Sequence, residues 1–183
     1  SAFFLSGCAG LRPVPEAPTP SRETLDAFSL AGRFSLRHED KNYSGRLSWR
    51  HAGASNELLL ASPFGQGIAQ ITTSASEARL TMSDGQEYSA ETAETLTRQV
   101  LGYPLPLAQL TDWVRGRGAE AGSRDEQGRL SRLQHEGWSI DYGYDGDDPL
   151  APPSRIFAER TGGIELRLRI DEWSSLSSGD GAP

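Results

Sequence analysis

The chain has 183 residues, 36% hydrophobic and 23% charged, which suits one globular domain with a sizeable core and leaves a second domain unexpected. A formal charge of -7 and a pI near 5.0 exclude the basic footprint of a nucleic-acid binder, and no polybasic segment is present to hold anionic lipid. No run approaches the roughly 18 apolar residues of a spanning helix, so membrane contact through these stretches must be apolar or covalent.

Residues 1–7 read as the remainder of a signal peptide. Ala2 to Leu5 end an apolar region, and Leu5-Ser6-Gly7-Cys8 matches the bacterial lipobox, whose Cys is acylated; with no charged n-region before it, the chain is expected to begin inside its precursor. Cys8 is the only cysteine, which excludes an intrachain disulfide, a CxxC pair and a thiolate metal cluster. Acylation there anchors the protein to a membrane without spanning it. Residues 8–24 carry Pro13, Pro15, Pro18 and Pro20 and read as an extended tether, able to hold the domain up to about 50 Å from its anchor.

A single domain is expected over residues 25–173. After a short helix capped by Ser21, Phe28, Leu30, Phe34 and Leu36 alternate with polar residues, as do Tyr43, Leu47 and Trp49; Glu39 to Asn42 makes the turn of this hairpin. Two apolar runs, Leu58 to Ala61 and Ile68 to Ile71, flank Ser62-Pro63-Phe64-Gly65-Gln66-Gly67, whose Pro and Gly residues predict a second hairpin turn with Phe64 at its tip. An aromatic at such a tip is either folded back onto the core or kept outside for a partner. Ala78, Leu80 and Met82 give a further strand, turned at Asp84-Gly85 into Gln86 to Ser89.

Helical spacing appears only in the middle of the chain. Ser89 is the expected cap of a helix carrying Ala93, Leu96, Val100 and Leu101 and ended by Gly102; Pro106 opens a second, with Leu107, Leu110, Trp113 and Val114, stopped by Gly116. Strands resume over Arg129 to Glu136, then at Trp138, Ile140, Tyr142 and Tyr144, over Arg155 to Arg160, and at Ile164, Leu166, Leu168 and Ile170. Residues 174–183 read as a disordered tail. The fold class is mainly β: about ten or eleven strands in one strongly curved antiparallel sheet, with the two helices on its concave side.

Catalytic chemistry is not legible. His38, His51 and His135 lack metal-ligand spacing and read as solvated residues at strand ends, and no serine sits in a Gly-x-Ser-x-Gly elbow. Asp145-Gly146-Asp147-Asp148 lacks the remaining ligands of a calcium loop, and Gly162-Gly163 is a hairpin turn. No metal, no cofactor and no enzymatic activity are expected.

Tyr88 to Glu94, the Gly102-Tyr-Pro-Leu-Pro-Leu107 string, Leu110 and Trp113 to Gly116 resemble the central helix pair of LolB, the outer-membrane lipoprotein localisation factor family. The lipobox at Cys8, Gly32 and Phe34, Leu58 to Leu60 before Pro63-Phe64-Gly65, Tyr142 to Tyr144 and Trp173 agree in order. The resemblance implies a half-open antiparallel barrel with a helical lid over an apolar cavity. It also implies a lipid-anchored protein of the outer membrane, facing the periplasm, that takes acylated lipoproteins from a LolA-like carrier and inserts them into the outer-membrane bilayer without nucleotide hydrolysis, acting as a monomer. The expected acyl-chain wall is Phe34, Leu36, Leu47, Trp49, Leu58, Leu60, Ile68, Leu80, Met82, Leu96, Val100, Leu107, Leu110, Trp113, Ile140, Tyr142, Leu166 and Leu168. The expected membrane-insertion loop is Pro63, Phe64 and Gly65, where Phe64 departs from the aliphatic residue usual in the family. Ala9 in place of Asp fits an outer-membrane address. The alternative is a lipoprotein that binds free lipid without delivering lipoproteins; an enzyme on envelope glycans or lipids would need converging carboxylates or a Ser-His set.

Overall fold

The computed structural model describes residues 18–117 and 122–176, so Cys8, the signal remnant and most of the tether lie outside the described residues. A single 3-10 turn, Arg22–Thr24, is capped by Ser21 as expected. It is fastened to the domain: the Arg22 amide donates to the Leu150 carbonyl, and the Arg117 guanidinium donates to the carbonyls of Arg22 and Glu23. The folded unit thus starts a few residues before the boundary expected at 25.

Among the described residues eleven strands follow: β1 (Phe28–His38), β2 (Lys41–Ala52), β3 (Ser55–Ala61), β4 (Gly67–Thr73), β5 (Ala78–Met82), β6 (Glu87–Ala90), then α1 (Ala93–Leu101) and α2 (Leu107–Val114), then β7 (Ser123–Arg124), β8 (Leu130–His135), β9 (Trp138–Gly143), β10 (Arg155–Arg160) and β11 (Ile164–Ser175). All belong to one antiparallel sheet in the order β6-β5-β4-β3-β2-β1-β11-β10-β9-β8-β7. Hairpins build each wing outward, and the pairing of β1 with β11 joins the two wings at the centre. Among the described residues no ladder joins β6 to β7, so the barrel is unclosed, and the helices connect its two edges across the concave side.

Alternation decides which way each strand faces. In β11, Ile164, Leu166, Leu168 and Ile170 are buried, while Arg167, Asp171 and the intervening charges point outward. Outward arginines meet carboxylates across the ladders, Arg33 with Asp171 at 3.0 Å and Arg37 with Glu165. Such exposed pairs contribute about 0–1 kcal/mol each, so the inward face carries the fold. Curvature has a local cause at the centre. The register of β1 against β11 shifts between Ala31 and Gly32, and a Cβ on Gly32 would run into the Arg169 carbonyl. Glycine permits that approach, and the bulge bends and twists the strand pair.

The helix cap differs from expectation. Ser89 pairs with Arg79 inside β6, and Thr92 caps α1 by accepting from the Thr95 amide, because the ladder with β5 runs on through Ala90. α1 stops at Gly102 and α2 follows Pro106, as the sequence predicts. Thr97 ties the pair together, its hydroxyl donating to the Ala93 carbonyl and accepting from the Leu105 amide. The tail expected from 174 is also corrected: Ser174 and Ser175 remain in β11, paired with Ser29 and Phe28, and the residues beyond 176 lie outside those described.

Candidate functional site

The concave face encloses a cavity of about 590 Å³. Phe34 and Leu36 from β1, Leu47 and Trp49 from β2, Leu58 and Leu60 from β3, Ile68 from β4, and Leu80 and Met82 from β5 supply one side of its wall. Leu166 and Leu168 from β11, with Leu96 and Val100 from α1 and Leu107 and Leu110 from α2, complete it. The sheet brings these residues together because strands β1 to β5 and β11 all turn their apolar face inward, and the helix stripes meet that face. Ala69, Ile71, Ala93, Leu101 and Leu105 also line the cavity and were not expected there. A signal for two of them existed: Ala69 and Ile71 pair with Leu60 and Leu58, so inward-facing β3 residues dictate inward-facing partners.

Trp113, Ile140 and Tyr142 are corrections: they do not line this cavity. Trp113 and Ile140 are buried under the other wing of the sheet, where the Trp113 and Trp138 rings pack with centroids 5.7 Å apart. Tyr142 borders a different hollow, of about 550 Å³, that opens toward the outer face between Arg33, Arg155, Arg167 and Arg169. Those guanidiniums are engaged by Asp171, Asp145 and Glu165.

The loop between β3 and β4 is ordered by its own chemistry. The Gly65 amide donates to the Ser62 carbonyl at 2.8 Å, the Ser62 amide to the Gln66 carbonyl at 2.7 Å, and the Ser62 hydroxyl accepts from the Gln66 amide. Pro63 presets the first turn residue, and Gly65, at φ +88°, supplies the left-handed step that returns the chain. Phe64 is thereby held 95% exposed. The ladders fix where this happens: Tyr43 pairs with Leu36, Arg46 with Ala61 and Ala69 with Met82, so the β1–β2, β3–β4 and β5–β6 turns share one end of the sheet. Phe64 therefore projects at the end of the cavity bordered by Tyr43, Leu60 and Met82.

Among the described residues the polar groups do not assemble into a reactive centre. His51, expected at the surface, is buried against Phe28, with its Nδ1 2.9 Å from the Asn56 side-chain Oδ1 that also accepts from the Trp49 indole. Burial pushes its pKa down, more than the hydrogen bond to Asn56 raises it. His38 packs at a tilt against Tyr103 and His135 meets the edge of Trp113, so neither is the solvated strand-end residue expected, and His38 and His51 sit at opposite ends of the β1–β2 ladder. The acidic loop is likewise occupied: the Asp145 carboxylate accepts from Arg169 and Arg155 and is held below the usual carboxylate range, first by the Arg169 hydrogen bond. Among the described residues no cluster of three His, Cys, Asp or Glu has the geometry to hold a metal ion.

An unclosed β sheet, an aliphatic cavity under two short helices and a projecting aromatic loop are thus carried by a chain whose residues 26–173 match the model of the family described as outer membrane lipoprotein LolB. The chain belongs to the LolB family. An outer-membrane lipoprotein LolB of Dechloromonas aromatica is 39% identical over 177 residues, covering 93% of this chain and 92% of its own. One from Thiobacillus denitrificans is 36% identical, covering 95% and 94%. Among solved structures, a LolA superfamily protein of Nitrosomonas europaea aligns with 83% of this chain and 87% of its own at a TM-score of 0.44 and 12% identity. The LolB match spans the cavity-lining strands, both helices and the Phe64 loop, and ends at Trp173, whose indole donates to the Pro153 carbonyl.

Proposed function

We propose that the protein is a lipid-anchored receptor of the outer membrane, facing the periplasm, that accepts lipoproteins from a LolA-like carrier, shelters their acyl chains in the cavity and releases them into the bilayer. Cys8 is the acylated anchor and Pro63, Phe64 and Gly65 the membrane-inserting loop. The observation that carries this reading is the placement of a 95% exposed phenylalanine at one end of a largely apolar cavity of about 590 Å³. Burial of an acyl chain is worth about 0.8 kcal/mol per methylene, so a chain of about sixteen carbons is held out of water by roughly 12 kcal/mol.

Transfer needs no catalysis and no nucleotide. It runs downhill if carrier, receptor and bilayer bind the same chains with rising affinity, each tenfold step corresponding to about 1.4 kcal/mol. An exposed Phe has no stabilising role within the domain, but its ring, buried at a membrane surface, gains about 1.5–3 kcal/mol and brings the cavity to the site of release.

Stepwise reconstitution tests the reading. A fluorescent lipoprotein on a LolA-like carrier is expected to move to this protein, and then to liposomes, without ATP. Retention on the carrier in the presence of the protein would refute receptor function. Stable transfer to the protein with no passage to liposomes would leave a lipid-binding lipoprotein instead.

A further inference from the structure

The aliphatic wall of the cavity changes character at one corner. Asn42, Tyr43 and Ser44, consecutive near the start of β2, line the cavity there, and Tyr43 is 38% exposed. None of their side chains has a hydrogen bond among the described residues. Thr97, elsewhere on the wall, is by contrast engaged in holding the helix pair together.

Beside this corner lies a pair of groups that the fold leaves unsatisfied. Tyr103, in the connection between α1 and α2, is 5% exposed and packs against His38, the rings tilted by 58° with centroids 4.3 Å apart. The Tyr103 hydroxyl and His38 Nδ1 are both shut from solvent and without a hydrogen-bond partner among the described residues. Leaving buried polar groups unpaired is costly, and two on touching rings call for an explanation that the fold itself does not supply. Burial, with the phenol of neighbouring Tyr43, pushes the Tyr103 pKa up to about 12. Its hydroxyl is therefore protonated, and a donor, throughout the neutral range.

The ligand suited to such a corner has an aliphatic tail and a head that accepts hydrogen bonds. Charge selects among heads. The adjacent turn carries Glu39 and Asp40 against Lys41, an excess of negative charge, and Glu39 approaches His38 Nε2 at 3.9 Å. A carboxylate is disfavoured there by like charge and by desolvation, whereas a carbonyl oxygen meets neither penalty.

Building on the acyl-binding reading above, we infer that Tyr103 and His38, with Tyr43 at the entrance, form a polar subsite for the ester or amide carbonyl of an acyl group whose chain lies in the cavity. The Tyr103 hydroxyl donates to the carbonyl oxygen, and the His38 ring packs against the phenol that presents it. The subsite distinguishes an esterified or amidated chain from a free fatty acid of equal length, a selection that an aliphatic cavity alone does not make.

The test uses methyl laurate and laurate, which share one chain and differ only in the head, each displacing an environment-sensitive fluorescent dye from the cavity at pH 7.5. Wild-type protein is expected to bind the ester about tenfold more tightly than the carboxylate. Tyr103→Phe, which keeps the ring and removes the hydroxyl, is expected to weaken methyl laurate about fivefold, to leave laurate unchanged, and to match or exceed the wild-type thermal midpoint. Equal weakening of both molecules, or of neither, overturns the subsite. A destabilised or unfolded Tyr103→Phe overturns it too, because the hydroxyl then has a partner within the fold. A wild-type protein that binds neither molecule defeats the acyl-cavity reading itself, whereas binding of both with no response to the substitution defeats only this inference.

Discussion

The two wings of the sheet obey the same alternation and end in opposite states. Under β8 to β10, Leu133, Trp138, Ile140, Ile156 and Ala158 are at most 2% exposed, and Trp113 and Val114 of α2 pack against them. Under β3 to β5, Leu60, Ala69, Ile71 and Met82 are only half-buried, and α1 covers them without filling the hollow. The difference lies in what the helices bring. α2 drives an indole into its wing; α1 offers Ala93, Leu96 and Val100, which line the space instead of plugging it. One sheet thus provides a close-packed support on one side and an apolar enclosure on the other.

Substitutions can break or sharpen this contrast. The largest stability effect is expected at Trp138→Ala, which empties a filled site and should cost about 3–5 kcal/mol in equilibrium denaturation. Leu60→Ala, on the cavity wall, removes a half-buried side chain from a space already unfilled and should cost about 1 kcal/mol or less by the same measurement. Similar losses at both positions would mean that the wings are equally packed.

A smaller, conditional effect belongs to His51, under Phe28 near the junction of the wings. Its folded pKa lies below the unfolded value of about 6.5, so the unfolded chain binds the proton first. The neutral ring's contribution is complete above that value and is lost as pH falls through the folded pKa. The denaturation midpoint should decline as pH falls below about 6.5, and His51→Gln should flatten that decline. An identical pH profile in the variant would assign the acid sensitivity elsewhere.

Phe64→Glu is expected to change stability least, within about 0.5 kcal/mol, since the side chain contacts water and the turn is held by Ser62 and Gly65. In reconstitution it should still accept lipoprotein but fail to deliver it to liposomes. Normal delivery would make the loop dispensable, and unfolding would make it part of the core.

Much of this architecture could be read from residue order. The alternation in β1, β2 and β11 identified both the strands and their buried faces, and Pro63 with Gly65 placed Phe64 at a tip. The two wings could not be told apart in that way. Trp113, Ile140 and Tyr142 carry the same inward signal as Leu58 or Leu80, and only the three-dimensional position of α2 assigns them to filled core or outer hollow. The cap of α1 was misplaced for a related reason: Ser89 and Thr92 are both competent caps, and the length of the β5–β6 ladder decides between them. His51 could not be recognised as buried because its partner, Asn56, lies across a hairpin in β3.

The unjoined edges have a mechanical consequence. A closed barrel enlarges only by breaking rungs of backbone hydrogen bonds, each leaving two groups unmade in a dry interior. Here the seam between β6 and β7 carries no rungs among the described residues and is spanned by the helical segment. Rotating α1 over β5 exchanges one set of dispersion contacts, about 0.1–0.2 kcal/mol per atom pair, for another. Widening the enclosed volume at this seam therefore breaks no backbone rung among the described residues, and the seam is a pleat between two hydrogen-bonded panels.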